Sequence, residues 1–102
     1  MIIMLSKTSI LTDKRIHELC ERENIVYLGL FGSYSRGEET KDSDIDFLVK
    51  FSGNKSLFKI IKISKELSKI FGKKVDLVTE NSLSKYIKKD VLKDIEVIYN
   101  VE

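Results

Sequence analysis

Short apolar runs alternate with helical stripes along this chain, and that alternation predicts most of its secondary structure. Residues 25–31 form an almost continuous apolar run, whose length and β-branched content predict a buried strand. Residues 44–51 combine β-branched and aromatic side chains and run into a Ser-Gly-Asn turn, which predicts a second strand. Residues 74–79 are predicted to form a third strand. The weak alternation of apolar and polar residues over 95–101 is typical of an edge strand or a closing extension.

Helices are predicted between these strands. Thr12 is expected to cap a first helix that ends near residues 23–24. Ser56 is expected to cap a long helix that reaches Phe71 and ends at Gly72. Its apolar stripe recurs at helical steps and comprises Ile60, Ile63, Leu67 and Ile70. A last helix is expected to open at Ser82 or Ser84 and to run toward residue 92.

The predicted order of elements is α-β-loop-β-α-β-α-β. The first two strands are close in sequence and flank the loop, whereas the later strands are reached through helices. This order favours a small mixed β-sheet with helices packed on it, an α/β (α+β) fold. Without a repeat, a linker or a change of composition, residues 1–102 are expected to form a single domain.

Composition narrows the class of protein. The chain is 42% hydrophobic and 33% charged, with no proline and five glycines, which is typical of a folded domain. The net charge of +2 is too small to indicate nucleic acid or an anionic membrane as the partner. The single cysteine, Cys20, excludes an internal disulfide. The apolar start is only five residues long, too short for a signal peptide or a membrane span, so a cytoplasmic protein is expected.

Two acids open the second predicted strand. Asp44 and Asp46 are two residues apart, so their side chains project from one face, about 6.6–6.8 Å apart along the strand. Two carboxylates at about 6 Å repel each other by roughly 3 kcal/mol at an effective dielectric near 20. A bound cation relieves that repulsion, and hard oxygen ligands suit Mg²⁺.

A third acid, Asp76, lies alone in the apolar run 74–79. A buried lone carboxylate needs a partner or a raised pKa. On a strand next to Asp44 and Asp46 it would complete a site of three carboxylates. Such sites hold two divalent ions about 3.5–4 Å apart in displacements at phosphorus.

The polar loop before these acids has the residues of a phosphate site. Gly32 ends the first strand where the backbone must turn, and Ser33 offers a hydroxyl and an N–H to an anion. Arg36 can grip phosphate oxygens in a bidentate manner. The spacing from Gly32 to Gly37 is that of a P-loop, but Glu38-Glu39 replace the required Lys-Ser/Thr, which excludes that class.

The pattern Gly-Ser, ten residues, Asp-x-Asp, with a later strand acid, resembles the minimal nucleotidyltransferases of the DNA polymerase β superfamily, in particular the MntA-type antitoxins. The resemblance covers nearly the whole chain and is most specific at these positions: Gly32, Ser33, Arg36, Gly37, Asp44, Asp46 and Asp76. It implies that Gly32 and Ser33 hold the triphosphate of ATP, with Arg36, Gly37 and Ser43 in the same nucleotide-binding set. It also implies that Asp44 and Asp46 bind two Mg²⁺ ions, and that Asp76 completes the ligand set and helps to deprotonate the acceptor.

The resemblance further implies that AMP is transferred to a hydroxyl, with tyrosine the simplest choice, on a HEPN-domain toxin of the HepT type. A second hypothesis is a binding antitoxin that acts by occlusion. A third is transfer to RNA or to a small molecule, for which the lysines of the long helix give slight support. A solvated helix face is the favoured explanation of those lysines, because Phe58 is the one aromatic interleaved in their stripe and the net charge is small.

Overall fold

The computed structural model describes residues 5–102. Its helices are α1 (Lys7–Leu11), α2 (Lys14–Arg22), α3 (Ser33–Arg36), α4 (Leu57–Phe71) and α5 (Lys85–Asp94). Its strands are β1 (Ile25–Phe31), β2 (Ile45–Phe51), β3 (Val75–Thr79) and β4 (Glu96–Asn100), and a 3₁₀ turn at Glu80–Ser82 follows β3.

The four strands form one mixed sheet in the order β3-β2-β1-β4. β1 is antiparallel to both β2 and β4, whereas β2 and β3 are parallel. The parallel pair requires a crossover, which α4 supplies with its 15 residues. The expected α+β architecture is therefore confirmed, with β3 and β4 at the two edges of the sheet.

The sheet buries side chains on both faces. Ile45 and Phe47 of β2 pack in the larger cluster, with Leu19 of α2 and Leu67 of α4. Leu48, on the opposite face, packs in a second cluster with Val91 of α5. Because side chains alternate along a strand, Asp44 and Asp46 share the face of Leu48.

The first predicted helix is present as α2 and ends where expected, but the prediction of its cap was wrong by one residue. Thr12 is the C-cap of α1, an element the sequence pattern did not reveal, and the carboxylate of Asp13 caps α2 by accepting the N–H of Arg15 at 2.9 Å. Helix α1 has only five residues, too few for a recognisable apolar period. An acidic cap one residue later serves the same free N–H groups as a threonine would.

The other helix boundaries agree with the sequence. The side chain of Ser56 accepts the N–H of Lys59 at the start of α4, and Gly72 ends that helix in the left-handed conformation. Ser84, rather than Ser82, caps α5.

Cys20 is fully buried, and burial raises the pKa of its thiol to about 12, so it is not a reactive cysteine. Between residues 5 and 102, no helix is both long and apolar enough to cross a membrane.

Candidate active site

Asp46 and Asp76 meet across the β2–β3 pair. The parallel register places Asp46 directly opposite Asp76, and the antiparallel register places Phe31, the last residue of β1, on its other side. Asp44 lies immediately before β2. The structure therefore brings the three predicted acids to one end of the sheet, beside the turn at which β1 stops.

The electrostatics of this end centre on Asp46. Burial, followed by the negative charges of Asp76 and Asp44, raises the pKa of the Asp46 carboxyl to about 6. A side-chain hydrogen bond with Asp76 also favours the protonated form. The side chains of Asp44 and Asp76 remain open to solvent, with 41% and 44% of their surfaces exposed. Asp46 is thus the inner member of the cluster, and the other two acids face outward.

Gly32 is required by two independent features of the turn. Its φ of 78° and ψ of −155° belong to a region that essentially only glycine adopts. A Cβ at this position would lie 2.3 Å from Oδ2 of Asp46. The missing side chain therefore lets the backbone that leads into α3 lie directly against the inner carboxylate.

Helix α3 is a single turn whose inward side chains are structural. Tyr34 is buried in the larger cluster, and the hydroxyl of Ser35 donates to the carbonyl oxygen of Asp94 at the end of α5. Ser33 is the first helical residue, where N–H groups have no partner within a helix. Tyr34 and Ser35 therefore fix α3 on the protein body.

Arg36 is engaged by acids of this chain. Its Nη1 lies 3.0 Å from Oδ2 of Asp94, and its Nε lies 3.2 Å from Oε2 of Glu38. These hydrogen bonds raise the pKa of the guanidinium, and its positive charge opposes part of the rise in the pKa of Asp46. With 44% of its side chain exposed, Arg36 links α3 to α5, and a phosphate contact stays a prediction.

Gly37 and Ser43 hold the loop together. Gly37 adopts the left-handed conformation that ends α3. The hydroxyl oxygen of Ser43 accepts the N–H of Thr40 at 2.8 Å. These contacts shape the segment between Gly32 and the acids, and direct contacts of Gly37 and Ser43 with a nucleotide stay predictions.

Lys74 is a member of this site that the sequence interpretation missed. Its Nζ lies 3.8 Å from Oδ2 of Asp44 and 3.9 Å from Oδ1 of Asp76, and 70% of its side chain is exposed. The available signal was its spacing, because residues 74 and 76 of one strand point to the same face. The ammonium group shows that the outer acids attract a cation.

The three carboxylates are suitable ligands for magnesium, although they do not form a complete coordination shell by themselves. Carboxylate oxygens are ligands that Mg²⁺ prefers. Burial and then repulsion from Asp76 and Asp44 raise the pKa of Asp46, and a divalent cation would relieve that repulsion. Within residues 5–102, no three acidic, histidine or cysteine side chains converge into a complete metal site. Mg²⁺ commonly takes one or two carboxylates and completes its sphere with substrate phosphates and water. The acids therefore fit an ion that arrives with a triphosphate.

Known proteins resemble this chain in sequence and in fold. The family model of the nucleotidyltransferase domain matches residues 13–98. The chain is 46% identical over 91 residues to a protein adenylyltransferase, MntA, of Thermococcus cleftensis, covering 89% of each chain. It superposes on a toxin–antitoxin crystal structure with AMP-PNP at a TM-score of 0.76 and 24% identity, covering 89% of this chain and 75% of the other.

A further structural neighbour contains a tri-AMPylated HEPN toxin of Shewanella oneidensis with its MNT antitoxin. The TM-score is 0.70 at 22% identity, over 91% of this chain and 73% of the other, so this likeness shows the fold. The match to residues 13–98 spans the acids, the Gly32 turn, the strands β1 to β3 and the first three residues of β4. The chain is therefore a member of the nucleotidyltransferase domain family and an enzyme of that class.

Proposed function

We propose that this enzyme transfers AMP from ATP to a tyrosine hydroxyl of a HEPN-type toxin, with Mg²⁺ as cofactor, and so acts as the antitoxin of that toxin. The observation that carries the proposal is the pairing of Asp46 with Asp76 beside the Gly32 turn. The 46% identical relative is named a protein adenylyltransferase, and a neighbour of the same fold is an antitoxin bound to an AMPylated HEPN toxin.

The three acids have different surroundings, and we assign them different roles. Asp46 and Asp44 would hold Mg²⁺. When bound, the ion neutralises negative charge on the triphosphate. Asp76 is the more exposed partner of Asp46, and its carboxylate accepts the proton of the incoming hydroxyl.

The bond changes follow from this assignment. The acceptor oxygen forms a bond to the α-phosphorus of ATP, the bond from that phosphorus to the bridging oxygen breaks, and pyrophosphate leaves. Gly32 lets the backbone approach the triphosphate closely, and Ser33 offers its hydroxyl and N–H to the phosphates. The chain thus contributes positioning and electrostatics, which dominate catalysis of phosphoryl transfer.

Mass spectrometry tests the transfer. The wild-type chain, incubated with ATP, Mg²⁺ and the HEPN protein of the same genome, should add the mass of one AMP group per acceptor, located on tyrosine by fragmentation. The double variant Asp44→Asn with Asp46→Asn should lower the rate by at least about 10²–10³-fold, because it removes charge that acts on the transition state. No added mass with any divalent metal would refute transfer to this protein.

The same double variant separates catalysis from occlusion. Both substitutions preserve shape, so binding of the toxin should persist while modification stops. Under our proposal, cells that carry the toxin are no longer protected by this variant. Full protection by the variant would instead establish occlusion as the mechanism.

A further inference from the structure

Asp94 joins the end of α5 to two consecutive residues of α3. Its side-chain Oδ2 accepts a hydrogen bond from Nη1 of Arg36 at 3.0 Å, and its backbone carbonyl accepts one from the hydroxyl of Ser35. These contacts lie on the helical turn that follows Gly32 in the candidate active site. They use different groups of Asp94, and only the contact with Arg36 depends on its side chain.

The anchoring of α3 does not require the carboxylate of Asp94. Tyr34 is buried in the larger core cluster, and Nζ of Lys7 donates to the carbonyl of Ser35 at 3.0 Å. The hydroxyl of Ser35 donates to the backbone of Asp94. All three contacts would persist with any side chain at position 94, so the position of α3 does not explain an acid there.

The stability of α5 does not explain this acid either. Asp94 is the last residue of the helix, where the negative end of the helix dipole disfavours a second negative charge. Only 25% of its side chain is exposed, so the carboxylate also loses part of its hydration. The ion pair with Arg36 offsets these costs, which indicates that the acid serves the arginine.

The guanidinium of Arg36 is held without being saturated. Nε donates to Oε2 of Glu38 at 3.2 Å, and Nη1 donates to Asp94. Two of the five N–H groups of an arginine are thus used, and three remain. Nη2 has no hydrogen-bond partner between residues 5 and 102. The two carboxylates therefore fix the planar group and leave donors for a further anion.

The charge of Arg36 reaches the acid cluster, whereas that of Asp94 does not. Among the described residues, the charges that shift the pKa of Asp46 are those of Asp76, Asp44 and Arg36. Asp94 can therefore influence the site through Arg36. A long, flexible side chain loses rotamer freedom when it binds a phosphate, and fixing it beforehand lowers that entropic cost.

We propose that Asp94 is a positioning residue that orients Arg36 toward the triphosphate of ATP. Its carboxylate holds Nη1, and the remaining N–H groups of the guanidinium bind phosphate oxygens beside Asp46. The inference rests on the proposed function, because ATP is the ligand that Arg36 receives.

Calorimetric titration with ATP and Mg²⁺, without any acceptor protein, tests this role. Asp94→Ala should weaken ATP binding about fivefold, the effect of a partly exposed ion pair. Asp94→Asn, which keeps an acceptor oxygen in the same place, should fall between Asp94→Ala and the wild type. The control is Asp90→Ala, because Asp90 is an exposed acid of the same helix, one turn earlier.

The sign of the effect separates orientation from net charge. Each alanine variant removes one negative charge, and ATP is an anion, so charge alone predicts unchanged or tighter binding. Asp90→Ala should follow that expectation, and Asp94→Ala should not. Unchanged or tighter binding in Asp94→Ala, or equal weakening in both variants, would overturn the proposal. Urea denaturation shows that each variant is folded under the conditions of the titration.

A double-mutant cycle tests whether Asp94 acts through Arg36. In an Arg36→Met background, Asp94→Ala should cause no further loss of ATP affinity, because the group that it orients is absent. The same fivefold loss in both backgrounds would contradict the inference and leave the proposed function intact. A wild-type chain that binds no ATP with Mg²⁺ would refute both.

Discussion

Asp46→Asn should abolish nucleotidyl transfer and, in the same molecule, stabilise the metal-free fold at neutral pH. The loss of rate should be at least about 10²–10³-fold, the effect of removing one electrostatic stabiliser of a transition state. The gain in stability has a separate cause. Burial and the charges of Asp76 and Asp44 raise the pKa of Asp46 to about 6, which means that the ionised carboxylate is unfavourable in the folded protein.

The sign of the pH dependence follows from that pKa. The folded pKa, about 6, lies above the ordinary value of 3.8, so the folded state binds the proton more tightly than the unfolded state. The stabilising contribution of this proton is fully present below about pH 4 and is lost as the pH rises through 6. The neutral asparagine variant has no such loss. With EDTA present, its Tm should equal that of the wild type near pH 4 and exceed it at pH 7.5.

The expected gain at pH 7.5 is on the order of 1 kcal/mol after allowance for solvent screening, or about 4–8 °C in Tm. Asp42→Asn is the control, because Asp42 is an exposed acid of the same loop and the change should alter neither Tm nor rate. A variant at Asp46 that is less stable than the wild type at pH 7.5, or that keeps a tenth of its activity, would contradict the assignment of Asp46 as the inner metal ligand.

Gly32→Ala should lower both the stability and the activity of each folded molecule. An alanine at φ 78° and ψ −155° carries backbone strain of about 1–3 kcal/mol. Its Cβ would also lie 2.3 Å from Oδ2 of Asp46, so either the inner carboxylate or the turn must move. Chemical denaturation gives the stability, and transfer per folded molecule, measured well below the unfolding transition, gives the activity.

Gly53→Ala separates the two effects. Gly53 also has a positive φ, of 90°, but an added Cβ there meets no atom within 4 Å, and the residue lies in the turn after β2. This control should lose stability through backbone strain and retain its activity per folded molecule. If Gly32→Ala behaves in the same way, the approach of the turn to Asp46 is not needed for catalysis.

Local sequence patterns were sufficient to predict the strands, α4, α5 and the shared face of Asp44 and Asp46. Each of these features depends on neighbours within one element, where a period of two or of 3.6 residues and a capping serine determine the outcome. The fold class followed, because the order of elements leaves few ways to cover a small sheet. The turn at Gly32 was also predictable from the sequence, because this glycine ends an apolar run.

Contacts between distant parts of the chain were decided only by the tertiary structure. The sequence identified Asp76 as a lone acid in an apolar strand, but the register of β3 on β2 is what sets it opposite Asp46. Arg36, whose contact with phosphate stays a prediction, pairs with Asp94, 58 residues away, at the end of α5. The same register of β3 on β2 places Lys74 beside Asp44 and Asp76.

Sequence by itself therefore determined which chemical groups this protein has and on which elements they lie. Tertiary packing decided which of them meet, because strand register and helix docking are set by burial of side chains over the whole sheet and not by any short segment. The raised pKa of Asp46 belongs to the second category, since it arises from burial and from the charges of the two acids around it.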